Sequence, residues 1–551
     1  MKSINQHRYP VVIAIVFLFS LPSWGQLPNG TSIGLENIRE ESLRANLQFL
    51  SSSELEGRET TQRGQKLAAL YIATYFQQLG LKPVGTDGSY FQRFNVEVSH
   101  PGKNLSIVAT RKSGEKKTYD EMLTQFYANP RGQKSQVVTG PLAFVGYGIS
   151  SPDSEFSYDD YEDIEVKGKI VLMMAFEPQE KDSNSIFNGA RPTRFSGRRG
   201  QQVKLQIARE RGAAGILYMT EVGDHPTLAT QARFFADIVK KGIMALPDTA
   251  SSDSAGLPVF TITKEVANEL LQPSGKTVDA LHAKIDEELK PVSFDVEGTE
   301  VTLNLDVKKE LVETENVVGL VEGSDPDLKN EVVLFTAHYD HLGIGNDGQI
   351  YHGADDDGSG TTAVLEIAKT FSQQPQKPKR SILFMTFAGE EKGLLGSIYY
   401  TNNPIVPLKN TVADLNTDMI GRIDPNYENS PDSTHYVYVI GADKLSTEMR
   451  SLLEQANRET VNLKLDYRYD DPNDPNQFYR RSDHFNFARK GIPIAFFFSG
   501  THQDYHRPTD TVDKIKFGKM ADTVKLIYMT GWKVANADNR PVVNGNAEMY
   551  R

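Results

Sequence analysis

The chain contains no cysteine. That excludes a thiol nucleophile, disulfide staples, and attachment to a membrane through an N-terminal lipidated cysteine. Positive charge is also scarce. Lys and Arg number 60 against 72 Asp and Glu, a formal net charge of −12, and no long basic run interrupts that balance. Nucleic acid is therefore not an expected partner. Beyond residue 21 no segment is apolar enough to span a bilayer. What is present, 551 residues at 39% hydrophobic, suffices for a large core and a division into two domains.

The N-terminus reads as a secretory signal covering 1–25. Lys2, His7 and Arg8 precede an apolar run at 11–21, too short to cross a membrane comfortably, and Ser23 and Gly25 supply small residues before Gln26. An uncleaved anchor is the competing reading. The expectation is an exported bacterial protein, periplasmic or secreted, with no stable membrane association after cleavage. The absence of cysteine fits the cytosol equally well, so this expectation rests on the signal.

Apolar residues recur at helical spacing over 43–50 and 64–79, with Gly80 placed to end the second helix. A strand follows at 91–98. From 137 to 290 short β-like runs alternate with Gly, Pro, Ser and Asp clusters, around one helical stretch at 201–211. This reads as an inserted domain (137–290) between an N-terminal segment (36–136) and a main domain (293–540). In the main domain strands at 316–321, 332–337, 381–387, 413–416, 437–440 and 494–498 alternate with helices at 361–374, 394–400, 445–458, 483–490 and 514–535. The expected class is α/β, a mostly parallel central sheet flanked by helices, with a β-rich insertion.

Chemistry concentrates in the main domain. Thr336-Ala337-His338-Tyr339-Asp340-His341 is followed by Asp355-Asp356-Asp357, then Glu390-Glu391, Asp418 and His506. So many carboxylates in short segments repel one another unless a cation neutralises them, and imidazole with carboxylate suits zinc. Each motif alone has a plainer explanation. Asp357 or Ser359 could cap the helix that follows, Glu390 and Glu391 could favour a helix N-terminus, and His506 could be an ordinary loop residue. The histidines argue against these jointly. Of eleven, six (His338, His341, His352, His484, His502 and His506) lie in two short regions beside the acidic motifs. His338, Glu390, Glu391 and Asp418 each follow a strand closely, so a parallel sheet would bring them to one edge.

These blocks, in this order, resemble the M28 family of zinc peptidases: Thr336-Ala337-His338-Tyr339-Asp340-His341, Gly353-Ala354-Asp355-Asp356-Asp357-Gly358-Ser359-Gly360, Ala388-Gly389-Glu390-Glu391, Asn416-Thr417-Asp418-Met419, and His506-Arg507-Pro508-Thr509-Asp510-Thr511. The likeness covers about 316–535 and extends to 43–94. More loosely, Gly168-Lys169-Ile170-Val171-Leu172 and Gly212-Ala213-Ala214-Gly215-Ile216 make the insert similar to a protease-associated (PA) domain. The resemblance implies a zinc-exopeptidase-like (phosphorylase/hydrolase-like) fold and two zinc ions bridged by Asp356. His338 and Asp418 would complete one ligand set, Glu391 and His506 the other. Glu390 would be the general base, acting on a metal-bridging hydroxide, and Asp340 would orient His338 through its second nitrogen. A cis peptide after Asp356 is also implied. His341, Asp355 and Asp357 fall outside the ligand set; His341, His352, Asp483 and His484 are candidates for supporting it.

The implied activity is removal of N-terminal residues from peptides. Alternatives are a carboxypeptidase of the same family, for which Arg191, Arg194, Arg198 and Arg199 could bind a substrate carboxylate, an acyltransferase like the glutaminyl cyclases, and a non-catalytic receptor-like module. Phe496, Phe497 and Phe498 could wall a specificity pocket, although a buried strand core explains at least two of them.

Overall fold

The computed structural model describes residues 34–151, 157–187, 195–247 and 256–545. The expected signal at 1–25 lies outside them, as do Arg191 and Arg194. Among the described residues no helix is long and apolar enough to cross a membrane.

Two large sheets organise the chain. The first contains strands β1 (Phe91–Pro101), β2 (Ile243–Ala245), β3 (Val307–Val321), β4 (Val332–His338), β5 (Ser381–Phe387), β6 (Thr411–Thr417), β7 (Tyr436–Ile440), β8 (Lys464–Asp466) and β9 (Ile494–Phe498). They lie in the order β2-β1-β3-β5-β4-β6-β9-β7-β8, and the short strand Lys82–Pro83 pairs with β3 off this path. The four central strands, β5, β4, β6 and β9, are mutually parallel. Each is buried along its whole length. That is why they read as continuous apolar runs rather than as alternating patterns. The flanks β3 and β7 join them antiparallel, so the parallel character belongs to the centre of the sheet.

Helices cover both faces. In β4, Val333, Phe335 and Ala337 enter one core and Val332 and Leu334 the opposite one, following the strand's period of two. The first core is closed by α1 (Glu40–Leu50), α2 (Arg63–Gln78) and the later α4 (Gly360–Ser372) and α5 (Phe517–Asn536); α3 (Leu228–Lys241), from the inserted stretch, packs instead on β1 and on the strand 126–128. Helix α2 ends as expected at Gly80. The Gly80 amide donates to the Gln77 carbonyl and the Leu81 amide to the Phe76 carbonyl, closing a Schellman turn at a residue with φ 71°.

The second sheet has eight strands, in the spatial order 116–119, 106–111, 293–305, 136–145, 170–174, 215–219, 259–262 and 126–128. The boundaries expected at 137 and 290 cut through it. Strand Ser293–Leu305 pairs with both Ser106–Arg111 and Gln136–Val145, so 106–128 and 293–305 belong to this sheet and not to the main one. Pairing between segments so far apart leaves no trace in local composition. The reverse exchange also occurs. Strand β2 comes from within the inserted stretch yet extends the main sheet, with Met244 opposite Val98 on β1.

Candidate metal centre

Because β4, β5 and β6 run parallel, their carboxyl ends share one sheet edge, where ligands of α/β folds bind. His338 is the last residue of β4. Glu390 and Glu391 follow β5 after Gly389, whose φ of 74° turns the chain. Asp418 comes directly after β6. The turn 354–359 carries three aspartates into α4. His506, with φ 54°, stands on the loop beyond β9.

The structure brings these groups together. His338 Nε2 lies 3.3 Å from Asp356 Oδ1, 3.7 Å from Asp418 Oδ2 and 3.8 Å from Glu390 Oε2. His506 Nε2 lies 3.0 Å from Asp356 Oδ2 and 3.3 Å from Glu391 Oε2. The two oxygens of Asp356 thus face different histidines. Donor atoms of His338, Asp356 and Asp418 fall within 4.8 Å of one another, and so do those of His341, Asp356 and Glu391.

His341, set aside on sequence grounds, therefore belongs to the cluster. Its Nδ1 is 2.8 Å from Glu391 Oε1, yet the two are not aligned as donor and acceptor, and neither has a hydrogen-bond partner. Its place three residues after His338 in one motif was the available signal. His341 and His506 compete for the second donor set. His506 reaches two of its carboxylates within 3.3 Å, which favours it over His341.

Asp340 differs from expectation in detail. The Nδ1 of His338 meets the main-chain carbonyl of Asp340 at 3.1 Å, whereas the carboxylate stays 3.8 Å away. That carboxylate accepts from the Thr60 hydroxyl at 2.7 Å and the Glu390 amide at 3.1 Å. It therefore ties Glu390 to the opening segment of the chain. Asp357 ties two strand ends to the start of α4, accepting from the amides of His338, Met419 and Gly360. Asp355 accepts from the Gly421 amide. The Asp356–Asp357 peptide bond is cis.

Two supports were given no role on sequence grounds, although Asp510 lies in the His506–Thr511 block. Asp510 accepts from the amides of Asp355 at 2.9 Å and Asp356 at 3.2 Å, fixing the shared aspartate. The Arg58 guanidinium is buried and donates to the carbonyls of Tyr339, His352 and Gly353, each at 2.8 Å. Of the undecided residues, His352 contacts the Ser51 carbonyl at 3.0 Å. His484 donates to the Tyr479 carbonyl at 2.9 Å and stacks on Phe496. Asp483 is fully enclosed, and burial pushes its carboxyl up to about 7. Phe496, Phe498, Phe478 and Met419 line a hollow beside the donors, with Tyr505 and Arg481 at its polar side. Phe497 points into the opposite core.

The electrostatics call for a cation. Burial opposes a charged His338, but the carboxylates of Glu390, Asp418 and Asp356 overcome it and raise its pKa well above the ordinary value. His506 is raised to about 10, against burial, by Asp356 and Glu391. Burial would raise Glu391 as well, and Asp356 adds to that, yet contacts with His341 and His506 hold it down at about 2. Glu390 goes the other way. Burial, then the charges of Glu391 and Asp418, lift it well above the usual carboxylate range despite His338. The oxygens Glu391 Oε1 and Asp418 Oδ1 and both nitrogens of His341 are buried with no hydrogen-bond partner. Orphaned donors of imidazole and carboxylate type, converging around one shared aspartate, fit zinc.

Comparison with known proteins agrees with this chemistry. Residues 316–530 match the model of Peptidase family M28. Aminopeptidase YwaD of Bacillus subtilis (strain 168) is 24% identical over 318 residues, which cover 55% of this chain and 57% of that protein. Leucine aminopeptidase 2 of Arthroderma otae is 28% identical over 256 residues, 42% of this chain and 47% of that one. The chain thus spans about half the length of the curated relatives it matches. An aminopeptidase from Aneurinibacillus sp. strain AM-1 shares the fold over 94% of this chain and 98% of its own, with a TM-score of 0.55 at 19% identity.

Proposed function

We propose that residues 316–530, which match the model of Peptidase family M28, are a domain of that family and that the chain is a zinc metallopeptidase that removes N-terminal residues from peptides. The observation that carries the proposal is the pair of donor sets sharing Asp356. His338, Asp356 and Asp418 would hold one zinc ion; Asp356, Glu391 and His506 would hold a second, with His341 steadying Glu391. The names of the relatives, YwaD and leucine aminopeptidase 2, favour the amino end of the substrate.

When bound, zinc would polarise the scissile carbonyl and make a water acidic enough to react near neutral pH. The chain's own residues do the rest. Glu390 sits among the donors, and its carboxyl is raised by burial and by neighbouring carboxylates, so it can take a proton from water and return it to the leaving amine. Its amide is anchored on Asp340, which fixes the direction of that transfer. The Tyr505 hydroxyl, 3.1 Å from the Arg481 guanidinium, keeps its proton because burial and the nearby carboxylates raise its pKa, and it offers a donor at the hollow. Phe478, Phe496 and Phe498 suit an apolar substrate side chain.

Export through the segment 1–25, and a PA-type identity for the second sheet, belong to the same proposal. Sequencing the N-terminus of the mature protein tests the first.

The activity is tested with peptides blocked at either end, with chelation and zinc restoration as controls. Hydrolysis that needs a free N-terminus and tolerates C-terminal amidation is expected. Cleavage of N-acetylated but not of C-amidated peptides would overturn the assignment. Glu390→Gln should retain zinc and lose about 10²–10⁴-fold in turnover; near-normal turnover with zinc bound removes Glu390 from its role.

A further inference from the structure

Helix α3 packs on the second sheet, the core of a second unit, where Phe235 stacks on Tyr127, and also on β1 of the main sheet, so that its C-terminus reaches the metal centre's supporting loops. It ends at Lys241, and Gly242 (φ 77°) redirects the chain into β2 on the edge of the main sheet. A side chain at 242 has no room, since its Cβ would stand 2.6 Å from Val98 Cγ1. The two units are therefore joined by a backbone ladder immediately beside Lys241.

Lys241 Nζ lies 3.0 Å from Glu59 Oε2 and donates to the Leu342 carbonyl at 2.9 Å; Asp237 of its own helix is 3.7 Å away. The other oxygen of Glu59 accepts from Lys392 Nζ at 2.8 Å. Glu59 also forms a backbone bridge with His341. Gly343 packs so closely that a Cβ there would come within 2.4 Å of Glu59 Oε2. One carboxylate thus gathers two loops. Leu342 follows His341 on the loop that starts at His338, and Lys392 follows Glu391. The side chains of Lys241 and Glu59 are 17% and 9% exposed, which takes their contact out of the class of solvated surface pairs.

We propose that Lys241 is a positioning residue of the metal centre. Acting through Glu59, the ammonium group contributed by the second unit holds the loop 338–342 and the Glu390-Glu391-Lys392 turn at the spacing their donors need. The inference rests on the metal-centre assignment above and deepens it, because it makes docking of the second unit part of that site's construction. Partners that orient ligating groups typically alter metal affinity or activity by about 10–100-fold when removed.

Lys241→Ala, Lys241→Arg and Lys240→Ala test this in the full chain. A cavity of about 480 Å³, lined by Lys240, Lys241, Glu59 and Gln62 among others, borders the cluster, so water can replace the truncated side chain. Lys240 is the exposed neighbour and controls for lost charge. Zinc retention is read by dialysis against graded chelator with metal analysis, and kcat and KM are read on an aminoacyl p-nitroanilide. Lys241→Ala should retain zinc about tenfold more weakly and lose about tenfold in kcat with KM within twofold. Lys241→Arg should restore both, and Lys240→Ala should match the parent protein. A folded Lys241→Ala with parental zinc retention and kcat overturns the proposal. So does a variant that only melts earlier. If the parent protein binds zinc but does not hydrolyse the anilide, the peptidase assignment fails while the retention series still decides the role of Lys241.

Discussion

Lys204 and Asp160 lie as deep in the second unit, 0% and 1% exposed, as His338 and Asp356 lie at the edge of the main sheet, at 1% and 3%. Their surroundings differ in kind. Lys204 donates to the carbonyls of Met174 at 3.3 Å and Phe176 at 2.5 Å. Asp160 accepts from the amides of Tyr147 and Ile149 and from the Tyr158 hydroxyl. Each charge is met by groups of the fold, even though burial lowers Lys204 to about 7 and raises Asp160 to about 7. At the sheet edge, Asp418 Oδ1, Glu391 Oε1 and both His341 nitrogens have no hydrogen-bond partner, although His341 Nδ1 and Glu391 Oε1 lie 2.8 Å apart, and the donors around them converge. Buried polar groups with partners serve rigidity and a unique packing; buried donors left without partners and aimed together mark a site for something else.

The contrast can be broken most directly at Asp356. If the edge is a shared-donor site, Asp356→Asn should abolish zinc retention and with it peptidase activity, measured by metal analysis after dialysis. A variant that keeps both metals would reduce the cluster to a structural ion-pair network.

A second test lies beside the site, at a buried group that is satisfied. Burial lowers His484 to about 3 while its ring donates to the Tyr479 carbonyl, so the folded protein holds it neutral. The unfolded chain takes up a proton below about 6.5 and the folded chain does not. The stability conferred is fully present above pH 6.5 and is lost as the pH falls towards 3, by roughly 3–5 kcal/mol in full. Urea unfolding of the parent protein and His484→Gln at pH 7 and pH 4 checks this: the variant should lose less between the two. Equal losses would mean that His484 is not held neutral.

The smallest effect is expected in the second unit. Lys204→Met strands two carbonyls and should cost about 1–3 kcal/mol in unfolding free energy while leaving zinc retention unchanged. Loss of zinc from this variant would mean that the two kinds of buried charge are not separable.

Much of the main sheet was legible because its central strands are buried on both faces and their runs are bounded by turn residues; β4, β5 and β9 were read to within one residue. Helix α2 was legible through its spacing and Gly80. The division into units was not, since strand 293–305 is sorted by partners at 106–111 and 136–145. Nor was the part played by Asp340, whose carbonyl rather than carboxylate meets His338, or the inclusion of His341. Both depend on which atoms the folded loops bring within about 3 Å of one another.

By itself the sequence determined the chemistry: which imidazoles and carboxylates exist, that they follow strands which must lie parallel, and that their charge exceeds what neighbouring residues along the chain can neutralise. Those properties follow from residue type and short-range periodicity. Only the tertiary structure decided which oxygens of Asp356 face which histidine, that Arg58 and Asp510 hold the loops in place, and that Lys241 from the other unit reaches Glu59. These are contacts between residues tens to hundreds of positions apart. Their geometry is fixed by sheet pairing and core packing, which no local stretch of sequence encodes.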